Sequence, residues 1–193
     1  EEGTLRVVYR VAGEGTKEFS EMKEGDTLEV MGPLGNGFAL KEEKAIIIGG
    51  GIGIPPMLEL AKQLDAEKTV VLGYRTSTFL KDEFEAVCDV KVATEDGSQG
   101  AKGTVIDAIE KYGVEGKVIY ACGPMPMLKA LAVYAEEHGM EAQISLEERM
   151  ACGIGACLGC ICKTKEKDHH TNVNNTRICK DGPVFDAKEV VFA

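Results

Sequence analysis

Ala45-Ile46-Ile47-Ile48-Gly49-Gly50-Gly51-Ile52-Gly53-Ile54-Pro55-Pro56 is the stretch whose reading decides how this chain folds. An unbroken β-branched run reads as a strand buried on both faces, and the glycines after it force a sharp turn before a helix can start. Proline is well tolerated in a first helical turn, where N–H groups have no intrahelical partner. Strand, glycine turn and helix N-terminus together form a phosphate-binding arrangement, because outward N–H groups and the helix dipole both favour an anion. The G-x-G-x-x-G fingerprint is not matched, since Pro55 and Pro56 stand before any third glycine. The acidic residue expected after the second strand is also missing: Leu72 leads into Gly73-Tyr74-Arg75. A tight structural turn is the competing reading. A position at the carboxyl end of the first sheet strand favours a nucleotide site outside the usual pattern.

Working outward, apolar runs at 45–48, 70–72, 90–93 and 118–121 alternate with helical patterns over 55–64, 79–87, 104–112 and 126–138. A last strand is expected at 142–146. Strand–helix alternation of this kind predicts a doubly wound parallel sheet, placing the fold in the α/β class with added β structure. A second turn follows the strand 118–121, where Cys122-Gly123-Pro124-Met125 passes into a helix. Both turns fall at carboxyl strand ends, where open sheets bind ligands. Alone, Cys122 reads as a small buried hydrophobe. Beside a nucleotide turn it reads as facing a nicotinamide.

Upstream, Leu5, Val7 and Tyr9 alternate with Arg6, Val8 and Arg10, and a second strand is expected at 27–31 after the turn Glu24-Gly25-Asp26. Residues 1–40 therefore read as antiparallel β, too short to close a barrel alone. With no initiating Met and an opening Glu1-Glu2-Gly3, the chain reads as a fragment of a longer protein.

Beyond Glu147 the sequence turns Cys- and Gly-rich, with short strands expected near 161–163 and 177–179. Cys152, Cys157 and Cys160 stand in C-x4-C-x2-C spacing, the plant-type pattern for a [2Fe–2S] cluster, and Cys179 arrives later as the fourth ligand. Gly153, Gly155 and Gly159 allow the backbone to turn between the ligands. Cys162 reads as a spare buried thiol and Cys88 as core. His169 and His170 raise a mixed Cys/His zinc site, but they lie in a charged, polar stretch with nothing to fix an imidazole.

Composition narrows the classes. The 193 residues, 44% hydrophobic, suffice for one large domain or two small ones. There are 22 basic against 32 acidic side chains, and the net charge of −10 argues against nucleic acid. No apolar run approaches the length of a membrane span, and the opening residues do not read as a basic region followed by an apolar stretch that would mark the chain for secretion. Seven cysteines without such a mark suggest metal binding in the cytoplasm.

Gly51-x-Gly53-x-Pro55 with Cys122-Gly123-Pro124 resembles the ferredoxin–NADP reductase superfamily, where a flavin barrel precedes a pyridine-nucleotide domain. The run from Glu147 to Cys160, Glu-Glu-Arg-Met-Ala-Cys-Gly-Ile-Gly-Ala-Cys-Leu-Gly-Cys, followed by Cys179-Lys180-Asp181-Gly182-Pro183, narrows the resemblance. It is similar to the electron-transfer subunits of class B dihydroorotate dehydrogenases, and the similarity covers essentially the whole chain.

This resemblance implies residues 1–40 as the C-terminal part of an FAD-binding barrel, 41–149 as an NAD(P) domain and 150–193 as a [2Fe–2S] module. FAD would fall on Val8, Tyr9, Arg10, Gly15 and Thr16, and NAD on Gly49, Gly50, Gly51, Gly53, Pro55, Tyr74, Arg75, Cys122, Gly123 and Pro124. Arg75 could meet a 2′-phosphate or a surface acid. The implied partner is an FMN-containing subunit that oxidises dihydroorotate in pyrimidine biosynthesis, two of each chain forming a heterotetramer. Hydride would pass between stacked flavin and nicotinamide rings, and no residue of the chain reads as a general base. The family's Arg-Pro-x-Ser flavin motif would lie upstream of Glu1, and the 18 residues between Cys160 and Cys179 exceed the expected gap. The extra length over 164–176 is polar and reads as a hairpin tip. Alternatives are a subunit of an NAD(P)H–ferredoxin oxidoreductase or hydrogenase-type diaphorase, and a non-catalytic zinc-binding interaction module.

Overall fold

The computed structural model describes residues 3–167 and 172–192 and divides into two compact units, Glu1–Pro33 and Leu34–Ala193. Among the described residues of the first unit the one regular element is a helix, α1 (Glu14–Glu21). It is anchored by Thr16, whose hydroxyl accepts the Ala12 and Gly13 N–H groups at 2.9 and 3.0 Å. Tyr9 packs edge-on against Phe19, ring centroids 5.7 Å apart. The strands expected around Leu5 to Tyr9 and over 27–31 form no ladder among the described residues. A strand must share its N–H and C=O groups with a neighbour and cover its apolar face. This unit offers neither, and Leu5 and Val30 stay 73% and 64% exposed. Sequence gave little sign of α1, because Gly13 and Gly15 depress helix propensity at its start.

The second unit opens with β1 (Ala45–Gly50), a 3-10 turn (Gly51–Gly53) and α2 (Ile54–Gln63). Then come β2 (Lys68–Tyr74), α3 (Lys81–Glu85), β3 (Asp89–Thr94) and β4 (Ala101–Lys102). They are followed by α4 (Val105–Tyr112), β5 (Val118–Cys122), α5 (Met125–Glu137) and β6 (Glu141–Ser145). The remaining strands are β7 (Ile161–Lys163), β8 (Asn175–Arg177) and β9 (Val184–Asp186). The main sheet runs β4-β3-β2-β1-β5-β6-β9, parallel except for β9, which joins β6 antiparallel. β7 and β8 pair antiparallel as a separate ribbon, so the second of the late strands starts two residues before the sequence suggested.

Burial on both faces explains the apolar runs. Ile46 and Ile48 face the side covered by α4 and α5, Ala45 and Ile47 the side covered by α2 and α3, and all four are inaccessible. Each buried isoleucine contributes about 1.5–3 kcal/mol. Cys160, Ile178, Cys179 and Phe185 pack into the α4–α5 face, so the cysteine-rich segment shares the sheet's core. α4 begins with a capping box in which Asp107 accepts the Thr104 N–H at 2.6 Å. It ends on left-handed Gly113.

The strand order reverses at β1, whose neighbours β2 and β5 are both parallel to it. That reversal opens a crevice at the carboxyl ends of β1 and β5.

Candidate functional site

Backbone without side chains lines this crevice. Gly49 is in register with Cys122, and Gly50 with Gly73. A Cβ on Gly53 would sit 2.3 Å from the Cys122 carbonyl oxygen and 2.6 Å from the Gly123 nitrogen. One on Gly123 would lie 3.0 Å from the Gly50 oxygen, and one on Gly50 would strike Met127 Sδ at 2.6 Å. The two turns are thus pressed together main chain to main chain. Glycine is required by contact here, since Gly53 has an ordinary φ of −76°.

Two helices start at this crevice, α2 with prolines in its first turn and α5 after Pro124, and neither N-terminus carries a side-chain cap. Their leading N–H groups and positive dipole ends suit a diphosphate. Gly51 is exposed, as are the side chains of Ile52 and Met125.

Cys122 is buried at the floor, where burial pushes its thiol up against a hydrogen bond with Ser145. Sequence reasoning took Cys122 but missed Ser145, its register partner on β6. Tyr74 and Arg75 stand one strand away. The Tyr74 hydroxyl donates to the Phe79 carbonyl at 2.7 Å, and burial holds it up at about 12. Arg75 Nε lies 4.0 Å from Glu95 Oε1, both side chains well exposed.

The cysteine loop pairs its thiols. Cys152 Sγ accepts the N–H groups of Ala156 at 3.3 Å and Cys157 at 3.4 Å. Those backbone donors, Cys157 first and Ile154 next, with the Cys157 thiol, bring Cys152 down to about 6, which favours a thiolate. Cys160 Sγ accepts the Cys179 N–H at 3.4 Å, and the hydrogen bond between these two side chains leads the causes that raise Cys179. The Gly155 N–H also reaches Cys179, joining the two pairs. Cys160 and Cys179 are buried, Cys152 is half-buried and Cys157 exposed.

Gly155 needs its left-handed φ of +82°, and a Cβ there would press the Lys180 side chain at 2.9 Å. Gly153 is left-handed as well, at φ +70°, and the third such position in the loop is Leu158, at φ 57°, not Gly159. Among the described residues, no three His, Cys, Asp or Glu side chains gather as ligands of a single ion. Four thiols arranged two and two, with N–H donors aimed at sulfur, suit a dinuclear cluster in which each iron takes two thiolates. His169 and His170 lie outside the described residues. Cys162 packs half-buried against the core, and burial raises its thiol to about 11.

Val8, Tyr9, Arg10, Gly15 and Thr16 all fall in the first unit, with Gly15 and Thr16 in the first turn of α1. That turn is a third helix N-terminus suited to phosphate.

Fold and site together define a ferredoxin-reductase-type nucleotide domain fused to an iron–sulfur module. A solved structure of an NADH-dependent reduced ferredoxin–NADP oxidoreductase, from work on flavin-based electron bifurcation, superposes with a TM-score of 0.83 at 33% identity. The match covers 95% of this chain and 67% of that one. The family described as the iron–sulfur cluster binding domain of dihydroorotate dehydrogenase B matches residues 147–191. The electron transfer subunit of dihydroorotate dehydrogenase B (NAD(+)) from Caldanaerobacter subterraneus subsp. tengcongensis is 50% identical over 194 residues, 100% of this chain and 77% of that protein. Its counterpart from Fusobacterium nucleatum subsp. nucleatum is 46% identical over 202 residues, 98% of this chain and 75% of that protein. The chain belongs to the family of dihydroorotate dehydrogenase B electron-transfer subunits.

Proposed function

We propose that this chain carries electrons from a partner subunit that oxidises dihydroorotate, through a [2Fe–2S] cluster and FAD, to NAD⁺. It is an oxidoreductase component of pyrimidine biosynthesis. The observation that carries the reading is the two-and-two convergence of Cys152 with Cys157 and Cys160 with Cys179, in the segment that matches the family's cluster domain. Cluster and flavin, when bound, supply one-electron relay and hydride chemistry, while the protein supplies positions and tuned potentials.

The four cysteines hold the cluster. Gly49, Gly50, Gly51, Gly53, Pro55, Gly123 and Pro124 seat the NAD diphosphate, Cys122 borders the nicotinamide, and Tyr74 with Arg75 flanks the adenosine side. Val8, Tyr9, Arg10, Gly15 and Thr16 hold FAD: Arg10 offsets diphosphate charge and the α1 N-terminus offers N–H donors. The partner is an FMN-containing catalytic subunit, two of each chain assembling in the cytoplasm. Among the described residues no helix is long and apolar enough to cross a membrane.

The test is Cys157→Ser in the full-length subunit, purified anaerobically with its partner. Dihydroorotate-driven NAD⁺ reduction should vanish while NADH oxidation by an artificial flavin acceptor persists. Normal dihydroorotate-driven rates in the variant would end this reading. The structural similarity to a ferredoxin–NADP oxidoreductase supports a second reading, a ferredoxin-linked reductase subunit. Reduced ferredoxin replacing dihydroorotate as donor would favour it.

A further inference from the structure

We infer that Asn36, far from the cysteines in sequence, is a positioning residue for the cluster's fourth ligand, Cys179; this rests on the cluster reading above. The turn that follows Cys179 presents three successive carbonyl groups, and Asn36 takes all of them. Its Nδ2 donates to the Lys180 and Asp181 oxygens at 3.1 and 3.0 Å, and its backbone N–H to the Gly182 oxygen at 2.6 Å. Asn36 also forms a β-bridge with Pro183. Gly35 makes the fit possible: at φ +71°, a Cβ there would stand 2.3 Å from the Gly182 oxygen.

The opposite side of the same turn is held from within. The Asp181 carboxylate accepts the Arg177 N–H and Nε–H, both at 2.9 Å, and the Thr176 hydroxyl at 3.1 Å. Arg177 Nη1 reaches across to the Gly155 carbonyl at 3.3 Å, inside the loop that carries the other three cysteines. The turn is therefore clasped between the cysteine loop and Asn36.

Asn36 is itself held by the sheet. Ala39 exchanges hydrogen bonds with the Gln143 amide of β6 at 2.8 and 2.9 Å, and the Lys41 N–H donates to the buried Tyr120 hydroxyl of β5 at 3.0 Å. Segment 34–41 thus works as a strap, fastened to the nucleotide sheet at one end and to the fourth-ligand turn at the other. Hydrogen bonds outside the ligand set orient the ligands and tune the metal, so the strap fixes where the Cys160–Cys179 pair stands relative to Cys152–Cys157.

The test uses the full-length subunit in complex with its partner, as Asn36→Ala, Asn36→Asp and the control Gln143→Ala. Asn36→Asp places a carboxylate against two carbonyl oxygens, whereas Gln143→Ala loosens the strap without touching the turn. Iron release to a chelator should be about tenfold faster in both Asn36 variants, the scale of two lost neutral hydrogen bonds. The electron paramagnetic resonance spectrum and midpoint potential of the cluster should shift in these variants and shift clearly less in Gln143→Ala, which slackens the strap's far end but leaves Asn36 on the turn. Melting of the iron-free proteins checks the fold. The inference fails if both Asn36 variants keep wild-type iron release and spectra, if Gln143→Ala matches them in both readouts, or if both variants fail to fold. A wild-type complex that holds no iron–sulfur cluster would instead sink the functional reading, and this inference with it.

Discussion

Gly53→Ala separates contact from conformation at the nucleotide crevice. At Gly53 the backbone is already one that alanine adopts freely, with φ −76°. The methyl group, however, would lie 2.3 and 2.4 Å from the Cys122 carbonyl oxygen and carbon, and 2.6 Å from the Gly123 nitrogen. All three are main-chain atoms of the neighbouring turn, so no side chain can rotate away. Relief requires the end of β5 to move from β1, against core residues that are fully buried on both strands. Overpacking of this kind costs about 1–3 kcal/mol. For a body of this size, that lowers the melting temperature by roughly 2–12 °C. Separation of the two turns should also weaken NADH, because the outward N–H groups no longer converge on one diphosphate. The assay pairs thermal melting with NADH titration by flavin reduction in the holoenzyme. Gly51→Ala is the counterpart: nothing lies within 4 Å of its Cβ, but φ is +54°. Its cost is left-handed strain alone, about 1–2 kcal/mol. If Gly53→Ala melts and binds NADH like the wild type, the tight apposition of the two turns is refuted.

Other outcomes follow from the same geometry. Tyr120→Phe removes a hydroxyl that donates to the Ala39 carbonyl at 3.2 Å and accepts the Lys41 N–H. It leaves that N–H unpaired, costing about 1–3 kcal/mol in chemical denaturation with an unchanged m-value. Thr104→Ala deletes the α4 cap and should cost about 1 kcal/mol, read by urea unfolding. The Thr104 hydroxyl and N–H hold the Asp107 carboxyl below its ordinary range. A depressed folded-state value gives stability present above the normal carboxyl range and lost as pH falls through it. The wild type should therefore lose more stability than Thr104→Ala between neutral pH and about pH 3, and parallel acid profiles would contradict the cap.

Much of this molecule was legible because its signals are local. The isoleucine run, the glycines behind it and the prolines after them each act within a few residues, and β1, the 3-10 turn and α2 appear where that grammar puts them. The C-x4-C-x2-C spacing pointed to its chemistry for the same reason, since three thiols on one short loop are a local geometry. The first 33 residues were less legible, because alternation marks a strand only when a neighbour completes its ladder.

By itself, the sequence determined the strand–helix alternation, the glycine-lined turns, the two proline-led helix starts and the spacing of Cys152, Cys157, Cys160 and Cys179. Tertiary structure alone decided that the thiols stand two and two, that β9 adds to β6, and that Asn36 closes on the turn at 180–182. The physical reason is that these last contacts end on backbone N–H and carbonyl groups. Every residue carries a carbonyl, so no side-chain pattern can announce which one a distant asparagine will find.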